Sequence, residues 1–291
     1  MKKREADQSA IFTMKTSGKI NRVKPTSLNQ LTIGIKGAGE MASAVACRLF
    51  CANIQKIFMM EVERPLAVRR AVSFCEVVYE GRQKVEDVEA VKVSNPEAIR
   101  EAWQNHKIAV IVDPQWRSLQ KLRPDATVDA IVAKKNLGTN LAEAPLVVGL
   151  GPGFSAGKDV HMVIETNRGH NLGRIITTGS AEPNTGIPGS IGGHDVKRVL
   201  RAPARGEFSA MRSIGDLVKS GEVIGSVDNL TIPAEIDGIL RGLIRSGTNV
   251  TAGLKLGDID PRGKKEFCYT ISDKARAIAG SVLEAMLRIY N

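Results

Sequence analysis

Apolar and polar positions change rhythm four times along the 291 residues, and each change marks a different kind of structure. Residues 1–30 show no sustained period and are rich in Lys, Ser, Thr and Asn, which predicts a mobile basic tail. From Leu31 onward, short β-type runs alternate with helical patterns. Residues 31–36 form a strand pattern, 37–42 a glycine turn, and 44–50 have helical spacing. Residues 56–61, 108–113 and 126–132 read as further buried strands, with helices over 96–105 and 115–122. Such alternation predicts a parallel sheet with helices on its faces. Residues 31–150 therefore read as a doubly wound, Rossmann-like nucleotide-binding domain of the α/β class.

The next three segments differ in kind. Residues 151–198 are a glycine-rich middle region with short strands, carrying the loops around Gly149-Leu-Gly151-Pro-Gly153, Gly157 to His161, Glu165 to His170 and Asn184 to His194. Residues 199–262 contain an internal repeat in which Gly206, Gly215 and Gly221 recur 32 positions later as Gly238, Gly247 and Gly253. Short β-runs between fixed turn glycines predict two intertwined halves of a small β-sandwich of biotinyl/lipoyl-like, barrel-sandwich hybrid type. A carrier domain of that kind needs a lysine at the turn joining its halves. Here the turn is Val227-Asp-Asn-Leu230, so a static docking module is the better reading. Residues 263–291 close the chain with a helix, capped by Ser272 with Asp273 in the first turn.

Charge first points to nucleic acid, because 41 Lys and Arg against 31 Asp and Glu leave a formal +10. Half of that excess lies within residues 1–24, and aromatics make up only 4% of the chain, too few for a base-stacking platform. An anionic small molecule or an acidic protein partner fits better, and nucleic acid becomes a minor reading. No apolar run approaches the roughly 18 residues of a membrane helix and no secretory leader is visible, which predicts a cytoplasmic protein. Cys47, Cys51, Cys75 and Cys268 form no CxxC pair, so neither a zinc knuckle nor a disulfide framework is indicated.

Two loops carry the candidate chemistry. In the first, Gly37 permits a tight turn, Gly39 lets backbone approach a phosphate, and small Ala42 lets the helix pack close to the strand. The anion would sit on the helix N-terminus at Glu40 and Met41, with Glu61, 22 residues beyond Gly39, at a ribose hydroxyl. Arg64, Arg69 and Arg70 follow, either pairing a phosphate or forming a solvated face. In the second loop, the backbone of Gly151 and Gly153 with Lys158 would bind an anion while Asp159 or His161 moves protons, which makes Lys158, Asp159 and His161 the candidate catalytic residues. The alternative is a turn that spends Asp159 and His161 on its own backbone. No metal is predicted, because Glu165, His170 and His194 lack ligand spacing. Ser155 lacks a nucleophile elbow.

The segments Ile35-Lys-Gly-Ala-Gly-Glu-Met-Ala-Ser43, Val148-Gly-Leu-Gly-Pro-Gly-Phe154, Gly157-Lys-Asp-Val-His161, Ile164-Glu-Thr-Asn-Arg-Gly-His170 and Gly257-Asp-Ile-Asp-Pro-Arg262 resemble the YqeB family, accessory proteins of selenium-dependent molybdenum hydroxylase systems. The resemblance spans residues 31–287 and implies a maturation factor in the style of XdhC-type proteins. Such a factor would handle an NAD-like nucleotide or the molybdopterin cofactor, with the hydroxylase or its cofactor-assembly proteins as partners. Two other readings stand beside it. One is a stand-alone NAD-dependent oxidoreductase using Lys158, Asp159 or His161 as proton relay; the other is an interaction scaffold whose Rossmann-like domain holds no ligand. Homo-oligomerisation is left open.

Overall fold

The computed structural model describes residues 27–184, 186 and 192–291. The tail predicted for residues 1–30 and the glycine segment from Asn184 to His194 thus lie partly outside the described residues.

The chain is mixed α/β and is built as two packed units. In the first, β1 (Thr32–Lys36), α1 (Glu40–Cys51), β2 (Lys56–Glu61), α2 (Val77–Glu80), β3 (Arg82–Val85), β4 (Val88–Val93), α3 (Pro96–Gln104), β5 (Ile108–Val112), α4 (Arg117–Leu122), β6 (Ala126–Asp129) and β7 (Leu146–Leu150) follow in order. The short strands β8 (Ser155–Ala156), β9 (Met162–Ile164), β10 (Ile175–Ile176) and β11 (Gly179–Ser180) complete it. Nine strands form one sheet in the order β10-β9-β7-β6-β1-β2-β5-β4-β3. All neighbours from β9 to β4 are parallel, and only the two edge strands β10 and β3 run antiparallel. The strands of β1, β2 and β5 are buried on both faces, as a parallel sheet covered by helices requires.

Strand β6 ends at Asp129, earlier than the apolar run to Val132 suggests. Asp129 Oδ1 accepts from the Ile131 N–H at 3.2 Å, and Val132 takes φ +57°, so the side chain turns the backbone out of the sheet.

The second unit comprises β12 (Val199–Arg201), β13 (Gly206–Ala210), β14 (Leu217–Val218), β15 (Val223–Val227), β16 (Leu230–Pro233), β17 (Gly238–Leu243), β18 (Thr248–Val250) and β19 (Lys255–Asp260). They make two four-stranded antiparallel sheets, ordered β12-β19-β17-β14 and β16-β15-β13-β18, over one core that includes Phe208, Leu240 and Leu256. Moving 32 residues along the chain carries β12, β13, β14 and β15 onto β16, β17, β18 and β19. That operation exchanges the two sheets strand for strand, so each sheet holds strands from both copies of the repeat.

After α5 (Glu266–Tyr269), the chain returns to the first unit as α6 (Asp273–Tyr290). Ser272 caps α6 by accepting from the Ala275 N–H. Its buried stripe, including Ile278, Val282, Ala285 and Met286, lies in one core with Ala42, Val45 and Leu49 of α1 and with Leu146, Val148 and Met162 of the sheet. The closing helix is thus a structural part of the sheet unit.

Ile278→Ala should lower stability in urea unfolding by about 2–5 kcal/mol. Leu217→Ala, at a position 72% exposed, should stay within about 0.5 kcal/mol. A similar small loss for both would show that α6 is not part of the sheet's core.

Candidate functional site: a cationic crevice between the two units

Where β1 and β6 diverge in connection, their C-terminal ends open onto a crevice of about 490 Å³. The sheet unit lines it with Glu40 and Met41 of α1, and with Arg69, Lys134, Arg168 and Lys274. The second unit faces them with Arg198, Arg241, Lys255 and Asp258. With Glu182, the wall carries seven cations against three carboxylates, a field suited to an anion.

The glycine turn leads directly into Glu40 and Met41 of this wall. Gly37 adopts φ +84° and donates its N–H to Met60 O at 2.8 Å, which fixes the turn at the end of β1. Gly39 is the N-cap of α1, and a Cβ placed there would meet nothing within 4 Å. No side chain caps this helix, so the first-turn amides above Gly39 face an open space. Ala42 is fully buried in the core, where its small size lets α1 sit close to the sheet.

Several of the cations are held by partners. Arg69, buried against the wall, donates to Glu40 at 3.3 Å and to the carbonyls of Phe267 and Thr270 at 2.9 and 3.0 Å. Arg168 makes a two-pronged pair with Asp273 at 2.8 Å for each bond, fixing its loop to the start of α6. That pair holds the Asp273 carboxyl well below the usual range. Glu40 Oε1 also accepts from Ser272 Oγ at 2.9 Å, so one carboxylate joins α1, the loop bearing Arg69 and α6. Burial lowers the pKa of Lys255 and of Lys274, with neighbouring Asp258 and Glu40 opposing the shift in Lys255.

Several residues singled out by sequence lie elsewhere. Glu61 accepts from the Ala38 N–H through Oε2 and from the Val62 N–H through Oε1, each at 2.8 Å. Burial raises its pKa and these two bonds oppose the rise. Glu61 therefore braces the glycine turn from outside the crevice. Gly151 and Gly153 also answer to packing. A Cβ at Gly151 would stand 2.5 Å from Thr166 Oγ1, and one at Gly153 2.7 Å from the Lys135 backbone.

Lys158, Asp159 and His161 do not line the crevice. Asp159 accepts from the Ser155 N–H at 2.9 Å, closing its own loop. His161 is buried, and its Nδ1 accepts from the Val147 N–H at 2.9 Å while its own N–H donates to Val147 O. Lys158 is exposed. Glu165 likewise accepts three backbone N–H bonds, from Thr166, Asn167 and Glu182. Among the described residues, no group of His, Cys, Asp and Glu could hold a metal. Cys47, Cys75 and Cys268 are buried and Cys51 is exposed, all unpaired.

The residues missed by sequence are Arg168, Arg198, Arg241, Lys255 and Lys274. The usable signal lay in the repeat, where Arg241, Lys255 and Asp258 stand opposite Ser209, Val223 and Ser226 of the first copy.

No protein-family model matches the chain. The Escherichia coli (strain K12) protein named "Uncharacterized protein YqeB" is 47% identical over 272 residues, which take in 92% of this chain and 50% of that protein. Over that span the chain belongs to the YqeB family. It extends over about half the length of this curated relative. Solved structures resemble it only distantly. A succinylglutamate desuccinylase/aspartoacylase from Rhodobacter sphaeroides is 25% identical over 23% of this chain and 22% of that one, with a TM-score of 0.20. An aspartoacylase family protein from Mesorhizobium loti is 12% identical over 79% and 84%, with a TM-score of 0.26. Likenesses of this size carry no argument about fold or activity. Among the described residues, no helix is long and apolar enough to cross a membrane.

The buried His161 supplies a pH test. Burial depresses its pKa below the ordinary 6.5, so the unfolded chain takes up the proton first as pH falls. Its contribution to stability is complete above about pH 6.5 and declines below that value toward the lower folded pKa. Urea unfolding at pH 7.5 and 5.5 should show a loss in the native protein that is smaller in His161→Gln. An equal loss in both would remove His161 as the cause.

Proposed function

We propose that this protein binds a phosphate-bearing, nucleotide-like ligand in the crevice, as a cytosolic accessory factor in the maturation of a molybdenum hydroxylase. The observation that carries the binding reading is the set of seven cations gathered around the uncapped first turn of α1. Helix N-termini and guanidinium groups are two independent means of holding phosphate. The strand order supports a Rossmann-like reading of the sheet unit. It runs outward from β1 in both directions, with the crevice at the β1/β6 switch, where ligands of open α/β sheets bind. The intertwined repeat supports a barrel-sandwich hybrid architecture for the second unit. Its connecting turn at Asp228 and Asn229 bears no lysine, which favours a docking or ligand-closing role over a carrier role.

The accessory role rests on the sequence segments shared with the YqeB family, and the ligand class covers dinucleotides and molybdopterin-type cofactors. The stand-alone oxidoreductase is the weaker reading, because Asp159 and His161 serve backbone groups and lie off the crevice wall.

Calorimetric titration with NAD, NADP, ADP, ATP, CTP and S-adenosylmethionine tests the binding reading. At least one phosphorylated ligand should bind, and Gly39→Val should weaken it by more than about 10-fold, or roughly 1.4 kcal/mol, while the protein stays folded at the temperature of the titration, the Tm falling only by what a poorer N-cap costs. The added Cβ meets nothing within 4 Å, and the substituted residue directly precedes Glu40 and Met41 of the crevice wall. Binding by no phosphorylated ligand, or full binding by Gly39→Val, would refute it.

A further inference from the structure

We infer that the outer face of the β12-β19-β17-β14 sheet is a phosphate-reading wall that takes a doubly charged terminal phosphate, through Arg241 and Lys255 with Arg198. The inference rests on the crevice reading above and narrows its ligand from any phosphate-bearing molecule to a phosphomonoester.

The repeat provides an internal control. Its two copies share one backbone plan, so features the fold requires should recur 32 positions apart. Gly206 and Gly238 recur, as do Gly225 and Gly257, and the acid Asp228 recurs as Asp260. One β-bulge recurs as well. The ladder between β15 and β16 skips Ile224, and the ladder between β12 and β19 skips the equivalent Leu256. These are properties of the fold.

Among the positions at which the two halves differ, four line the crevice. Arg241 stands where the first copy has Ser209, Lys255 where it has Val223, and Asp258 where it has Ser226. Arg198 corresponds to Leu230 of the other sheet. The backbone breaks the correspondence at the same place. Ser209 pairs in register with Ser226, whereas the second copy passes from Leu240↔Ile259 to Gly242↔Asp258 and skips Arg241. A bulge without counterpart, centred on a cavity-lining arginine, is the device by which a strand re-aims a side chain.

The other sheet, built on the same plan, carries Ser, Val, Ser and Leu at these positions, so the fold does not need these charges. Burying them costs desolvation, which a ligand-free ion-pair cluster does not reliably recover. Arg241 is 7% exposed and its Nε has no hydrogen-bond partner. Asp258 is shared among Arg198, Arg241 at 3.6 Å and Lys255 at 3.8 Å. Asp260 pairs with Arg262 at 2.6 Å and Arg241 at 3.2 Å. Of the residues that line the crevice, Arg198, Arg241 and Lys255 stand against Asp258, which leaves two positive charges on this wall. A phosphomonoester carries nearly two negative charges at neutral pH; a phosphodiester carries one. The charge surplus matches the former.

The test uses the full chain at pH 7.5, titrated in NMR with inorganic phosphate and with dimethyl phosphate, a singly charged diester. Inorganic phosphate should bind at least about 10-fold more tightly than dimethyl phosphate, and Arg241→Ser, which restores the first-copy residue, should remove that preference. Lys255→Val, built on the same logic, should weaken phosphate binding if Arg241→Ser fails to fold. Ser209→Ala, on the opposite sheet, should change nothing. Equal binding of the two anions, or unchanged phosphate affinity in folded Arg241→Ser and Lys255→Val, would overturn the inference. If nucleotides still bind in a Gly39-dependent way in that case, the broader crevice reading stands. If neither nucleotide nor phosphate binds, both readings fall.

Discussion

The side chain of Arg69 joins the parts of this molecule that matter for binding. It leaves the loop after β2, reaches Glu40 at the start of α1, and donates to two carbonyls on either side of the segment that returns the chain from the second unit to the first. A buried guanidinium is stabilised where its donors are met, and here both terminal nitrogens find partners, in two separate stretches of sequence at Glu40 and at residues 267–270, while Nε has none. The relative position of the glycine turn, the two-sheet unit and α6 is set at this point. Glu40 extends the junction by taking Ser272 as well.

Around that junction, cations outnumber acids. The carboxylates are distributed so that each serves more than one cation: Asp258 among Arg198, Arg241 and Lys255, and Asp260 between Arg241 and Arg262. This arrangement holds long side chains in fixed positions without cancelling their charge. A preorganised positive wall of this kind loses little entropy when an anion arrives. Glu40 and Met41, in the uncapped first turn of α1, line the same space from the sheet unit. The N-terminal charge that dominates the composition is a separate matter, since the crevice is built from residues 40–274.

Much of the sheet unit was legible in the chain because its signals are local. The apolar runs at 32–36, 56–61 and 108–112 are strands, and Ser272 caps the last helix. The hairpin of β3 and β4 was not legible, because its turn at Glu86-Asp87 places a glutamate at φ +51° where Asn, Asp or Gly usually stands, and has no glycine after it. The site was half legible. Gly39, Glu40 and Met41 stand where a glycine fingerprint predicts, whereas Glu61, Asp159 and His161 have the right chemistry but spend it on backbone N–H groups. Spacing along a sequence does not reveal which polar atoms the neighbouring backbone has already claimed. The second wall escaped notice for another reason: its residues are separated from the glycine turn by some 160 to 220 positions and meet it only through tertiary packing.

Hydrogen–deuterium exchange, read with and without the nucleotide that binds best, tests the central claim that both units close on one ligand. Protection should appear together in residues 38–43 of the glycine turn and α1 and in residues 239–258 of the second unit. Protection confined to one unit, or centred on residues 155–161, would contradict it.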